Sequence, residues 1–476
     1  MSNTTQVPAY DSRASTWIAL LVAASFFMEN LDATIIVTAV PQMAESFGVQ
    51  AVDLSIGVSA YMLALGVFIP ASGWVAERYG ARTVFASAVA LFTVSSLLCG
   101  FATGLWEFVF LRVLQGMGGA MMVPVGRLAV LKTTPKEKLV SAIATLTWPA
   151  LVAPILGPPI GGFITTYASW RWIFYLNLPL GIIAFFFALK LIPNDKNPTP
   201  QPFDTKGFLL GGGGLFCTLW AVELVSGDHT PWAQAVGFLI AGVLLLAGCV
   251  RHMHRASHPM IDLSVLKIQT FAATVSGGSL FRMATGATAL LLPLMFQVGF
   301  GLNPFHAGLL MVAIFTGNLA MKPATTGIIR RHGFKRVLGW NGLANVVFLL
   351  CYAMLSPNTP LGWILGVLFV GGLARSLHFT GLNTLAFADV PPAKLRAANT
   401  LFSTAFQLSL GVGVAVGALA LRVGTWAKDG LGVADVPAVD FRLAFVLIAL
   451  LSLVALYDVR PLPADAGDEI ARKAKK

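Results

Sequence analysis

Residues 83–102, TVFASAVALFTVSSLLCGFA, run for 20 positions without an acidic or basic side chain, and runs of this kind recur along almost the whole chain. In lipid every backbone N–H and C=O must find its partner inside the protein, so such a segment crosses as a helix or belongs to a closed barrel. The short alternating segments of a barrel are absent, which leaves helices. Only 11% of the 476 residues are charged and 56% are hydrophobic, with a mean hydropathy of +0.77. A soluble domain carries about 25% charged residues, so an ordinary water-soluble protein is excluded. The first 16 residues are polar with one basic residue, Arg13. No short cleavable signal precedes the first span, which is therefore expected to stay in the protein.

Apolar runs read against breakers give fourteen spans. Six cover about 17–40, 52–72, 83–102, 106–129, 140–166 and 172–192; two more lie near 207–225 and 233–250. The last six cover about 271–298, 306–328, 336–356, 361–388, 396–422 and 441–458. With a cytoplasmic N-terminus, Arg171, Arg422, Lys428 and Arg442 fall outside and Arg112, Arg282 and Arg375 fall within spans, while the remaining 25 of the 32 Lys and Arg lie inside. That asymmetry places both termini in the cytoplasm.

The chain is duplicated. The turn GWVAERYGARTVF at 73–85 returns in worn form as TTGIIRRHGFKRVL near 326. A shift of 253 positions lays Gly80 on Gly333, Arg82 on Lys335, Val84 on Val337, Pro70 on Pro323 and Glu29 on Arg282. Repeats that put ionisable residues at matching depths predict two half-bundles around a shared polar cavity. The expected fold is therefore all-α and membrane-integral, two six-helix bundles related by a pseudo-two-fold axis. Residues 1–192 form the first, 269–476 the second with a short tail, and 193–268 a linker and a peripheral two-helix insert. The run Gly211–Gly214 allows that insert to pack closely.

Five segments carry a resemblance. Gly73, Gly80 and Arg82, with Glu77 and Arg78 between them, form the turn after span two. Arg112-Val-Leu-Gln115-Gly116 lies on span four, and Gly157-Pro158-Pro-Ile-Gly161-Gly162 on span five. Leu31-Asp32-Ala-Thr34-Ile35, closed by Pro41, and Trp170-Arg171-Trp172-Ile173-Phe174 with Asn177 and Pro179 complete the set. In this order the chain resembles the major facilitator superfamily, and within it the fourteen-span drug:proton antiporters. The resemblance implies a cytoplasmic latch at Gly73, Glu77, Arg78, Gly80 and Arg82. It also implies a hinge and seal on span five at Pro154, Gly157, Pro158, Gly161 and Gly162, where prolines are expected to break the helix. Glu77 stands where the family more often has Asp, and Val37 where it often has Asn.

Charges inside spans cost about 2.5–3.5 kcal/mol each at the bilayer centre, so they line cavities or pair. Asp32 lies about 14 Å in from Pro41, and Arg112 enters from the same side to about 9 Å, within reach of a pair. Glu29 shares a helix face with Asp32 at i−3. A carboxylate whose partner can move away suits proton exchange, so Asp32, Glu29 and Arg112 are the proton-coupling candidates. In the superfamily spans one, four, nine and twelve line the cavity, which makes Gln115, Arg282, Arg375 and His378 the substrate-cavity candidates. Two readings stay open for the second-half charges: a Glu29–Arg282 pair across a closed outer gate, or Arg282 and Arg375 binding an anionic or zwitterionic solute.

The net charge of +11 sits in short loops without interleaved aromatics, so nucleic acid is not expected. Cys99, Cys217, Cys249 and Cys351 lie in apolar runs with no paired spacing, and His252, His254 and His258 read as a solvated loop, so no disulfide or metal is expected. Gly116-Met-Gly118-Gly119 lacks the strand and register of a dinucleotide loop, and no Gly-Lys-Ser/Thr phosphate loop appears. No nucleophile–base constellation points to an enzyme. The expected activity is export of small molecules driven by the proton gradient, without a cofactor, from a bacterial inner membrane. The alternatives are an exporter of organic anions, carboxylate metabolites or metal chelates, and a membrane sensor or scaffold. A periplasmic adaptor is left open.

Overall fold

A computed structural model describes residues 12–134, 139–194, 202–226, 231–257, 259–391, 394–431, 438–460, 462, 463 and 466. These residues form helices and turns, with no strand among them. In chain order the helices are α1 (Ser12–Ile35), α2 (Val40–Phe47), α3 (Ser55–Tyr79), α4 (Ala81–Phe101), α5 (Leu105–Thr133), α6 (Leu139–Tyr167), α7 (Trp172–Tyr175) and α8 (Asn177–Leu191). They continue with α9 (Thr205–Ser226), α10 (Trp232–Met253), α11 (Gln269–Leu294), α12 (Pro304–His332), α13 (Phe334–Met354), α14 (Leu361–Ala388), α15 (Leu395–Leu431) and α16 (Val439–Ala455). Eleven stretches among the described residues are long and apolar enough to cross a membrane. The tally of fourteen therefore rests on α6, α9 and the 17-residue α16, which stand where the sequence puts spans.

The first span does not run straight to Pro41. The proline ring would clash with the carbonyl four residues earlier, at Val37. Accordingly α1 stops at Ile35, a single 3-10 turn covers Ile36–Thr38, and Pro41 sits in the first turn of α2, where its missing N–H is not needed. Span five corrects the opposite expectation. Although Pro154, Pro158 and Pro159 lie within it, α6 is continuous through all three. In a membrane the neighbours of a helix can hold it together across a proline, and here α1 and α12 flank α6.

The duplication is visible in backbone geometry. Gly80 joins α3 to α4 with φ +90° and ψ 145°, and Gly333 joins α12 to α13 with φ +77° and ψ 156°. That region is essentially closed to L residues. Shifting by 253 lays α4 on α13 end for end, α3 on α12, α5 on α14 and α6 on α15. Packing obeys the same shift: α1 against α6 answers α11 against α15, and α3 against α5 answers α12 against α14. Between the halves, α6 packs on α12 and α3 packs on α15. These two contacts exchange under the shift, which is what a two-fold relation between halves requires.

The insert is a hairpin. Gly214 lies against Leu246 and Gly242 against Thr218, so α9 and α10 approach closely, and α9 rests on α3 and α15. At one end of the molecule an apolar cluster draws on both halves, including Ile35, Val40 and Met43 with Leu290, Phe296 and Met311. Arg422 on α15 also donates to Gln50 there, at 3.1 Å. The other end is open.

Candidate transport site

Asp32 and Arg112 meet in the first half, and both are almost wholly buried, at 1% and 0% exposure. Arg112 Nη1 donates to Asp32 Oδ2 at 2.7 Å and also to Gln115 Oε1. Gln115 Nε2 returns a hydrogen bond to Asp32 Oδ1 at 2.9 Å, and Asn177 Nδ2 adds another at 2.8 Å. Asn177 also donates to Ser96 Oγ at 2.9 Å, and Ser96 donates to the Phe174 carbonyl. Helix spacing explains the geometry: Arg112 and Gln115 lie three residues apart on α5, so both face Asp32 on α1. The guanidinium stacks on Tyr61 of α3 at 4.1 Å from the ring centre, leaving its Nε and Nη2 without hydrogen-bond partners.

The expected Asp32–Arg112 pair is thus present, and Gln115 belongs to it rather than to a cavity wall. Asn177 belongs to the Trp170–Pro179 segment, whose pattern by itself assigns it no role. Ser96 and Tyr61 carried no sequence signal, because a serine or tyrosine inside a span is ordinary until its neighbours are known.

Two neighbouring cavities lie between the halves. The larger, about 1320 Å³, reaches the first of the two basic turns and is rimmed by exposed Leu131, Lys132 and Pro202, so it is open to solvent. Gly73, Trp74 and Glu77 of the α3 end line it, as do Arg127, Asp204 and Asp262. The deeper, about 320 Å³, lies between Tyr61, Met62 and Leu65 on one side and Thr285, Phe379 and Leu410 on the other. Its walls are mostly apolar with a few small polar groups, the usual make-up of a small-molecule site. Glu29, Phe406 and Gln407 border both cavities. Glu29 is 7% exposed, and its Oε2 has no hydrogen-bond partner.

The second-half candidates separate. Arg375 lines the deeper cavity, and its Nε has no partner. Arg282 does not face it: the guanidinium donates to the Thr274 carbonyl at 3.1 Å and to Asn383 at 3.5 Å, and stacks on Phe402 and Phe406 at 4.8 and 5.3 Å. Those rings wall it off, and it makes no ion pair with Glu29. His378 is placed outside both cavities, buried against Phe281 at 4.2 Å between ring centres.

Of the five residues expected to form the latch, Gly73 and Glu77 line the open cavity and Arg78, Gly80 and Arg82 do not. Arg78 stacks on Trp74 and Tyr79, at 5.7 and 5.9 Å. A side chain at Gly80 would strike Asn194, which accepts from the Thr83 amide at 3.3 Å; Arg82 is half-buried beside it. On α6 the glycines mark close approaches: Gly157 to Thr34, Gly161 to Ile35 and Thr38, and Gly162 to the Pro304 carbonyl across the halves. Pro158 and Pro154 line the deeper cavity, and Gly308 of α12 sits on the Pro158 carbonyl.

The histidine segment is not a free loop. His252 lies 2.7 Å from Asp204, whose carboxylate also accepts from the Gly207 and Met260 amides at 2.9 and 3.0 Å. Burial pushes the Asp204 carboxyl up, but those amides and the imidazole outweigh it and hold the group below the usual carboxylate range. No cluster that could hold a metal occurs among the described residues, and His258 lies outside them. The four cysteines are free.

The sequence profile described as Major Facilitator Superfamily matches residues 22–414 and 274–475. The chain belongs to the major facilitator superfamily. Among its relatives, the "putative multidrug resistance protein MdtD" of Serratia proteamaculans strain 568 is 37% identical over 458 residues, 94% of each chain. The protein of the same description from Escherichia coli O6:H1 is 34% identical over 469 residues, covering 97% of this chain and 98% of that one. Among solved structures, an auto-inhibited peptide transporter of the POT family aligns with a TM-score of 0.69 at 14% identity, over 95% of this chain and 97% of that one. A bacterial homologue of the human lysosomal transporter Spinster, inward-facing and unoccupied, gives 0.65 at 13%, over 97% and 98%. These likenesses show the fold: a multi-pass, all-helical membrane protein of a transporter superfamily.

Proposed function

We propose that this chain is a proton-driven exporter of small molecules, of the multidrug type, acting by alternating access. It carries solute and performs no covalent chemistry. The observation that carries the reading is the Asp32–Arg112 pair, sealed in the first half one helical turn from Glu29, a carboxylate that borders both cavities. The relatives described as multidrug resistance proteins support the same reading.

The proposed protein has fourteen spans and sits in a bacterial inner membrane with both ends in the cytoplasm. Residues 1–192 and 269–476 are then the moving halves. The open cavity faces the cytoplasm, and the apolar cluster around Met43, Phe296 and Met311 closes the periplasmic side. Glu29 exchanges protons with the cavity. Asp32, on the same helix face, accepts a proton handed on by Glu29; once neutral, it no longer holds Arg112, and the balance between inward and outward states shifts. The α6 glycines let the halves close against α12, and the α3–α4 turn engages when the cytoplasmic side shuts.

The test uses purified full-length protein in proteoliposomes carrying an imposed pH gradient and a lumenal pH dye. Adding a lipophilic cationic dye should release protons with the wild type and not with Glu29→Gln or Asp32→Asn. Dye movement that continues unchanged with both proton gradient and potential collapsed would remove proton coupling.

A further inference from the structure

Beyond the exporter reading, on which this rests, the deeper cavity carries its own statement about the solute. Two ionisable side chains of opposite sign line it, Glu29 and Arg375, apart from the phenol of Tyr61. Neither is paired. Glu29 Oε2 and Arg375 Nε lack hydrogen-bond partners, and the two side chains make no ion pair with each other or with any described residue. The remaining lining is apolar or carries small neutral groups such as Asn30, Thr34, Thr285 and Gln407.

Other charges in the molecule are treated differently. Arg112 has Asp32, and Arg282 has a carbonyl, an amide oxygen and two aromatic faces. A buried charge without a counter-charge is costly. Once Glu29 is ionised, the two groups carry opposite charges in one apolar hollow and are complementary to a ligand that supplies both. A solute with a lone cationic group would leave the arginine uncompensated, and a lone anionic group would leave the acid so. Arg282, behind Phe402 and Phe406, cannot make the site doubly cationic for a multivalent anion.

We infer that the preferred solute is amphoteric: an apolar, partly aromatic body with a basic group seated at Glu29 and a carboxylate or similar planar anion at Arg375. Glu29 lies on the first-half side of the hollow and Arg375 on the second-half side, so one bound molecule touches both halves. A guanidinium presents a fork that matches a carboxylate in two hydrogen bonds.

Rhodamine 110 and rhodamine 123 test this with one skeleton. The first carries a free carboxylate beside its cationic ring system, the second the methyl ester; fluorescein supplies the anion without the basic group. Binding is read by fluorescence anisotropy on purified full-length protein in detergent, without any proton gradient. Rhodamine 110 should bind about tenfold or more tighter than rhodamine 123, the worth of a hydrogen-bonded charge contact. Arg375→Gln should erase the difference by weakening rhodamine 110 alone, and Arg375→Lys should keep part of it. Glu29→Gln should weaken both rhodamines and spare fluorescein.

Equal binding of the two rhodamines to wild type, or an undiminished preference in Arg375→Gln, overturns the inference. The first comparison needs no variant, so misfolding cannot mask it. Failure here with proton-coupled rhodamine 123 export intact would sink the amphoteric site alone. Loss of coupling with the binding preference intact would sink the exporter reading instead.

Discussion

Replacing Asp32 by asparagine removes one charge and almost no volume. The amide keeps one oxygen to accept from Gln115 and Asn177, but its NH₂ then faces Arg112 Nη1, donor against donor. Arg112 is 0% exposed, and its Nε and Nη2 already lack partners. The Tyr61 ring contact persists in both proteins and so offsets nothing. Breaking one partner from a buried pair costs about 3–5 kcal/mol. Since Gln115 still accepts from Arg112, the lower end, about 3 kcal/mol, is expected. That corresponds to roughly 100-fold in the equilibrium of any state that needs the pair. Removing both charges, in Asp32→Asn with Arg112→Gln, should recover about 2 kcal/mol of that loss, because no uncompensated ion remains. Unfolding titrations of purified protein in mild detergent measure the cycle, and proteoliposome export runs beside them. Export should vanish in both single variants and in the double. Asp32→Asn within about 0.5 kcal/mol of wild type, or a double variant no more stable than it, would refute the buried-pair reasoning. Unchanged export by Asp32→Asn would take that residue out of the mechanism.

Gly80→Ala should destabilise more than Gly333→Ala. Both pay about 1–3 kcal/mol for the forbidden dihedral, but only Gly80 also strikes Asn194, whereas Gly333 faces open space; detergent melting midpoints rank them. Gly162→Val should block α6 from closing on Pro304 and Phe305, so cysteine-accessibility labelling would find the outer side open more often than in wild type. His378→Gln should leave rhodamine binding within about twofold, since the imidazole lies away from both cavities; a tenfold loss would contradict its placement. The Asp204 tie has a defined pH dependence. Its folded pKa is depressed, so its stabilisation is present above the ordinary carboxylate range and lost only as pH falls through the folded value. Tryptic cleavage at Lys206, measured at neutral pH, should therefore be faster in Asp204→Asn than in wild type.

The Asp32–Arg112 pair was readable because a charge inside a span needs a partner, and depth along a helix follows from counting. The turn glycines were readable because their repeat at 253 positions marks two equivalent backbone sites. By contrast, a Glu29–Arg282 gate rests on matched depth alone, and in this structure the two make no ion pair. The resemblance makes span twelve a cavity wall and so puts His378 in the cavity, but the imidazole lies against Phe281 instead. The three prolines of α6 signalled a break that the flanking helices do not permit.

The sequence alone determined the helices, the duplication and how deep each charge lies, since each residue advances a helix by a fixed rise of about 1.5 Å. Which way a side chain points at that depth is another matter. A neighbouring residue is turned by roughly 100° around the axis, and that angle has meaning only once a second helix stands beside the first. Tertiary packing therefore decided that Asn177 and Tyr61 join Asp32 and Arg112, that Phe402 and Phe406 hide Arg282, and that Glu29 and Arg375 are left facing the same hollow without partners.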